Sequence, residues 1–188
     1  MAQVNETIKR FWNKHIVAFY PYVPARFKNV SEDIKQYREL VYSFKSGERY
    51  EEVAQLTAHK LKEEFGDMVT EIVFTCIPAS SAEKNELRYK KFSERVCELS
   101  GAVNGYEHLK VITDKKAIHE SRKKRSKQTD LMQNIDIDGE WFRNRSVVTM
   151  DDCLTSGKSW SALGSKLEEF GAEILAGYFL SKTTYKLQ

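Results

Sequence analysis

Residues 147–159 read Val147-Val148-Thr149-Met150-Asp151-Asp152-Cys153-Leu154-Thr155-Ser156-Gly157-Lys158-Ser159, and their order decides the fold. Val147, Val148 and Met150 form a short apolar run of strand type. Trp160, Leu163, Leu167 and Phe170 then recur at i, i+3, i+7 and i+10, which predicts the buried face of a helix that stops at Gly171. The loop between strand and helix therefore lies at the carboxyl end of the strand, where open α/β sheets bind ligands. Thr155, Ser156 and Ser159 offer hydroxyls, Gly157 lets backbone amides approach closely, and the free N–H groups of a new helix turn favour a dianion. Asp151 and Asp152 have the opposite preference: ionised carboxylates repel phosphate but accept hydrogen bonds from vicinal hydroxyls. Together they suit a ribose whose 5-phosphate sits in the adjoining loop.

Two simpler readings compete. Gly157-Lys158-Ser159 looks like the end of a P-loop, but that motif needs a glycine five residues before its second one, and position 152 is Asp. A plain helix start with Thr155 or Ser156 as N-cap accounts for one hydroxyl and leaves the acid pair unexplained.

Outward from this stretch, Ile72, Val73, Phe74 and Ile77 give a near-continuous apolar run within residues 71–77, as expected of a strand covered on both faces. Leu87, Phe92, Val96 and Leu99 predict a helix closed by Gly101. Residues 109–113 suit another strand, and Asp138-Gly139 between short alternating stretches is a hairpin signal. Strand, helix and strand follow at 146–151, 157–170 and 173–181. This alternation predicts the α/β class, with a mainly parallel sheet flanked by helices and right-handed crossovers. Near the amino terminus, Ile8, Phe11, Trp12 and Ile16 predict a first helix over 3–19, ended by Pro21 and Pro24. Ile34, Tyr37, Val41 and Phe44 predict a second, and Val53, Leu56, Leu61 and Phe65 a third, stopped by Gly66. The expected organisation is an amino-terminal helical extension over 1–30, a candidate interface for a homo-oligomer, and one domain over 31–188.

With 188 residues, 41% of them hydrophobic and 30% charged, the chain is long enough for one α/β domain with a sizeable core. No run approaches the roughly 20 apolar residues of a membrane span, and no leader pattern opens the sequence, so a cytoplasmic protein without a membrane partner is expected. Cys76, Cys97 and Cys153 are odd in number and widely spaced, which suits a reducing compartment and argues against disulfides and a zinc site. His15, His59, His108 and His119 are equally scattered. Charge is uneven: residues 115–127 carry seven basic side chains and one acid, a local +6 in a chain of net +3. That run is read in three ways: a solvated face, a polyanion-binding surface for a nucleic-acid or protein partner, or a lid over an anionic ligand.

The stretch 147–159 resembles the phosphoribosyl-pyrophosphate (PRPP) signature of type I phosphoribosyltransferases: an apolar strand, two acids, two apolar residues and a Thr-Thr-Gly-Ala-Thr-like loop. Lys158 stands where that family usually has a small residue, and Cys153 where it has Val or Ile. Much of residues 34–182 is similar to the ComF-like branch associated with bacterial DNA uptake. The basic segment 40–47 resembles that branch's Lys-rich stretch, and residues 72–81 its apolar strand and proline loop. Arg88 and an aromatic stand in place of its Arg-Gly-Phe-Asn, and residues 119–134 resemble its Gln-rich, Arg-bearing stretch.

The resemblance implies that Asp151 and Asp152 bind ribose hydroxyls and that Thr155, Ser156, Gly157, Lys158 and Ser159 bind the 5-phosphate of PRPP or a nucleoside 5-monophosphate. It implies pyrophosphate at Pro78-Ala79-Ser80-Ser81-Ala82, where many members have a glycine, through Ala79, Ser80 and Ser81. Arg88, Lys91, Arg122 and Arg125 are candidates for further positive charge. Mg²⁺ would bridge pyrophosphate and the ribose hydroxyls, linked to Asp151 and Asp152 only indirectly. The expected reaction is transfer of phosphoribosyl between pyrophosphate and a nitrogenous base. The alternatives are a PRPP- or nucleotide-binding module with weak transfer, and an interaction subunit of a bacterial nucleic-acid system such as DNA uptake or phage defence. No residue is identified as a general base, and the acceptor base is not readable.

Overall fold

The computed structural model describes residues 2–112 and 134–185. The chain runs α1 (Ala2–Trp12), β1 (His15–Tyr22), α2 (Glu32–Lys45), α3 (Tyr50–Phe65) and β2 (Ile72–Cys76). A continuous helical stretch follows, made of α4 (Ala82–Asn85), a π turn (Glu86–Lys90) and α5 (Lys91–Ser100). Then come β3 (Val103–Asn104), β4 (Leu109–Val111), β5 (Ile135–Ile137), α6 (Gly139–Phe142), β6 (Ser146–Leu154), α7 (Lys158–Glu169) and β7 (Glu173–Thr183).

Five strands form one sheet in the order β1-β7-β6-β2-β3, and each neighbouring pair is parallel. The α/β class is as expected. All five residues of β2 are buried, because α2, α3 and α5 cover one face and α1 and α7 the other. Val73 and Val147 pack with Phe11, Trp160, Leu163 and Leu167 on the second face, while Phe74, Val148 and Met150 join Phe44, Leu61 and Phe92 on the first.

The strand order fixes where the sheet's connections diverge. From β2 the chain moves outward to β3 on one side, whereas β6 leads to β7 on the other. The carboxyl ends of β2 and β6 thus flank the point at which connections diverge, the position where open α/β sheets leave a crevice.

Two expectations are corrected. The first helix stops at Trp12 rather than running to residue 19, and residues 15–22 are an edge strand in register with β7 from His15↔Ala176 to Tyr22↔Thr183. Ile16, Val17, Phe19 and Tyr20 are β-branched and aromatic residues of strand type. Ile16 reaches the same apolar cluster as Phe11, which is why the pair reads as one helical stripe. Pro21 lies within the edge strand, where a missing N–H is tolerated. Residues 15–22 thus belong to the sheet, and Phe11 and Ile16 to the core. Asp138-Gly139 is likewise not a hairpin turn: β5 pairs antiparallel with β4, and the Asp138 side chain caps α6 by accepting from the Trp141 N–H at 3.2 Å.

Candidate functional site

β2 and β6 run side by side from Ile72↔Ser146 to Cys76↔Met150, and one further bond, Ile77 N–H to the Met150 carbonyl at 2.8 Å, closes the ladder. Beyond it the two chains part, into residues 78–82 on one side and 151–159 on the other. Side chains from α2 and the π turn reach the acid pair, and one from α1 reaches Ser156.

Asp152 is buried and doubly paired. Arg88 Nη1 lies 2.5 Å from Oδ2 and Lys45 Nζ 3.3 Å from Oδ1. The Arg88 Nε donates to the Lys45 carbonyl at 3.3 Å, which ties the end of α2 to the π turn. Asp151 is half-buried, and its Oδ1 accepts from the Tyr89 hydroxyl at 3.0 Å and from the Asp152 N–H at 2.8 Å. Arg88 and Tyr89 are consecutive, and they serve consecutive carboxylates. Both sit in the π turn, whose extra residue per turn re-aims side chains.

The two acids therefore sit in different surroundings. Asp152 has cationic partners on both oxygens. Burial, and then the neighbouring charge of Asp152, push the Asp151 carboxyl up to about 7, against the bonds from the Asp152 amide and Tyr89 and the charge of Arg88. The Tyr89 phenol is raised as well, by burial first and the two carboxylates next, so it remains a hydrogen donor.

Gly157 stands at the head of α7 with φ of 72°, a left-handed conformation that suits glycine, and no side chain caps the helix. The simple N-cap reading of Thr155 or Ser156 is therefore not what this turn uses. The side chains of Thr155, Ser156 and Lys158 are exposed and that of Ser159 half-buried, and none bonds to another described residue. Together with Asp151, Trp160 and Phe179 they line a cavity of about 30 Å³. Hydroxyls without a described partner, one ammonium and uncapped amides at the start of a 12-residue helix are groups suited to an anion.

The loop after β2 is more self-contained. The Ala79 N–H donates to Asn85 Oδ1 at 2.9 Å, and Ser81 Oγ caps α4 by accepting from the Lys84 N–H at 3.3 Å. Ser80 is exposed and its hydroxyl has no partner among the described residues.

Asp151 and residues 155–159 thus line one cavity, Arg88 reaches Asp152 beside it, and Ala79, Ser80 and Ser81 follow the end of the adjacent strand. Lys91 is exposed at the start of α5. Arg122, Arg125 and the run 115–127 lie outside the described residues. Three residues at the crevice were not singled out in the sequence. Lys45 lies in the basic segment 40–47 and Tyr89 directly follows Arg88, so each had a weak signal; Trp12, which touches the phosphate-type loop, counted only as part of an apolar stripe. No protein-family model matches the chain, and no curated protein matches it.

Proposed function

We propose that this protein binds a 5-phosphoribosyl ligand, PRPP or a nucleoside 5-monophosphate, and transfers phosphoribosyl between pyrophosphate and a nitrogenous base, in the manner of a ComF-like phosphoribosyltransferase. One observation carries the reading: the acid pair and an uncapped, hydroxyl-lined helix start adjoin at the divergence of β2 and β6. In this reading Asp151 accepts from a ribose hydroxyl while the 5-phosphate lies against the amides and hydroxyls of residues 155–159. Displacement at the anomeric carbon develops oxocarbenium-like charge, so the protein's work is orientation of the ribose and neutralisation of the leaving group. Arg88 and Lys45 supply positive charge at the crevice, and Ser80 a free hydroxyl beside it.

Among the described residues no group of three or more His, Cys, Asp or Glu is arranged for a metal ion. An acid pair with one accessible carboxylate does fit Mg²⁺, a cation that keeps most of its waters and is held largely by substrate phosphates. When bound there it neutralises charge on the departing pyrophosphate.

Calorimetry with PRPP and Mg²⁺, paired with a pyrophosphate-release assay across a panel of nucleobases, tests the proposal. The expected result is binding, with pyrophosphate released for at least one base. Absence of PRPP binding sinks it. A second reading, a binding module with weak transfer, is favoured by the loop after β2: its Ala79 amide and Ser81 hydroxyl are already engaged within the chain. Binding without release under any base decides for that reading.

A further inference from the structure

Trp12, the last residue of α1, is the link between the amino terminus and the phosphate-type loop. Its indole Nε1 donates to the Ser156 carbonyl at 3.3 Å. A Cβ at position 157 would meet the same nitrogen at 2.9 Å, so the ring lies against the left-handed turn that begins α7. Over the ring, 4.9 Å from its centroid, sits the ammonium of Lys182, a β7 residue in register with Leu154 of β6. Lys182 is exposed and has no carboxylate partner among the described residues. The ring thus holds one face of the loop and parks a cation beside it.

The helix that carries Trp12 is firmly seated. Phe11 is fully buried and packs edge-on to Trp160 with centroids 5.2 Å apart, while Arg10 and Lys14 reach Glu168 at 2.7 and 2.9 Å. Through this seated helix the indole N–H restrains the Ser156 carbonyl and with it the adjacent peptide.

We infer that Trp12 is a positioning residue for the anion cradle: it fixes the peptide plane between Ser156 and Gly157, and with it the amides at the head of α7, and it holds Lys182 next to the bound 5-phosphate. This rests on the proposed reading of residues 155–159 as the 5-phosphate site. It gives the first helix a part in ligand binding through a residue that touches the loop without touching the sugar.

The test uses the full chain and ribose 5-phosphate as the probe. Trp12→Phe keeps an aromatic ring but removes the N–H, and should weaken binding about three- to tenfold, the worth of one hydrogen bond. Lys182→Ala should weaken it about two- to fivefold. Ligand-dependent tryptophan emission is the second readout, taken in a Trp160→Phe background because Trp160 lines the same cavity: that background should respond to ribose 5-phosphate, and adding Trp12→Phe should lose the response. If wild type binds and Trp12→Phe binds equally well with the same emission change, the inference is overturned while the site reading stands. If wild type does not bind ribose 5-phosphate, both fall.

Discussion

Arg88 and Asp152 form an ion pair 64 residues apart in sequence, with only 15% and 9% of their side chains exposed. Removing one partner from so shielded a pair leaves an uncompensated charge, which costs more than the pair contributes when intact. Lys45, at 3.3 Å from the other oxygen, compensates part of the loss. Arg88→Ala should therefore destabilise the protein by about 2–4 kcal/mol in urea unfolding. A loss below about 0.5 kcal/mol, the level of an exposed pair, would show that the crevice is wet and the pair solvated.

Asp151 makes a prediction about pH. Its folded value, raised to about 7, lies above the ordinary 3.8, so the native state holds a proton that the unfolded chain has released throughout that window. The stability that this proton contributes is present at the acid end and is lost as pH rises through about 7. Asp151→Asn removes the titration. Its stability relative to wild type should therefore rise between about pH 5 and 8, as measured by denaturant midpoints. Binding has the reverse sign, because an ionised carboxylate is the better acceptor for a ribose hydroxyl. Wild-type affinity for ribose 5-phosphate should strengthen across the same range more than that of Asp151→Asn, which shares any contribution from the ligand's own phosphate. Parallel pH profiles in the two proteins would remove Asp151 from the site.

Asn85 distinguishes the loop after β2 from the loop after β6. It is 6% exposed, and its Oδ1 holds the Ala79 amide. Asn85→Ala should cost about 1–3 kcal/mol, the penalty for a shielded donor left unpaired. If the loop after β2 holds pyrophosphate, the variant should also bind pyrophosphate about three- to tenfold less tightly while its affinity for ribose 5-phosphate is unchanged. Calorimetry with the two ligands in parallel measures this. Equal losses for both would mean that the loops act as one unit.

The legible parts of this fold are those in which local chemistry and tertiary role agree. β2 announces itself because a strand covered on both faces has no polar side to alternate with. The order of β6, loop and α7 shows in the passage from an apolar run to helical spacing across Gly157. The start of the chain misleads for a physical reason: Phe11 from a helix and Ile16 from a strand reach one cluster, so burial is continuous across a break in backbone conformation. At Asp138 the same side chain serves a turn or an N-cap equally well, and only the pairing of β5 with β4 decides. Within the site, the acids and hydroxyls are neighbours in sequence and could be read together. Lys45 and Tyr89 reach them only after α2 and the π turn pack against β6, which no local pattern encodes.

The seat of α1 on α7 yields the last prediction. Phe11 occupies a notch that exists because residue 164 is glycine: a Cβ there would stand 2.2 Å from Phe11 Cε1 and 2.5 Å from Cζ. The ring has little room to move, since it is fully buried and its other edge meets Trp160. Gly164→Ala improves helix propensity by about 1 kcal/mol, but overpacking a filled core typically costs about 1–3 kcal/mol, and here the clash is well inside contact distance. The net expectation is a loss of about 1–2 kcal/mol. Its location is more telling than its size. Amide exchange in residues 2–12 should speed up as α1 loosens, while β2 and β6, at the centre of the sheet, keep their protection. Because Trp12 ends the same helix, the looser helix should also weaken ribose 5-phosphate binding, in line with Trp12→Phe. A variant as stable as wild type, with unchanged exchange in α1, would show that the notch has room and that the first helix is not held through Phe11.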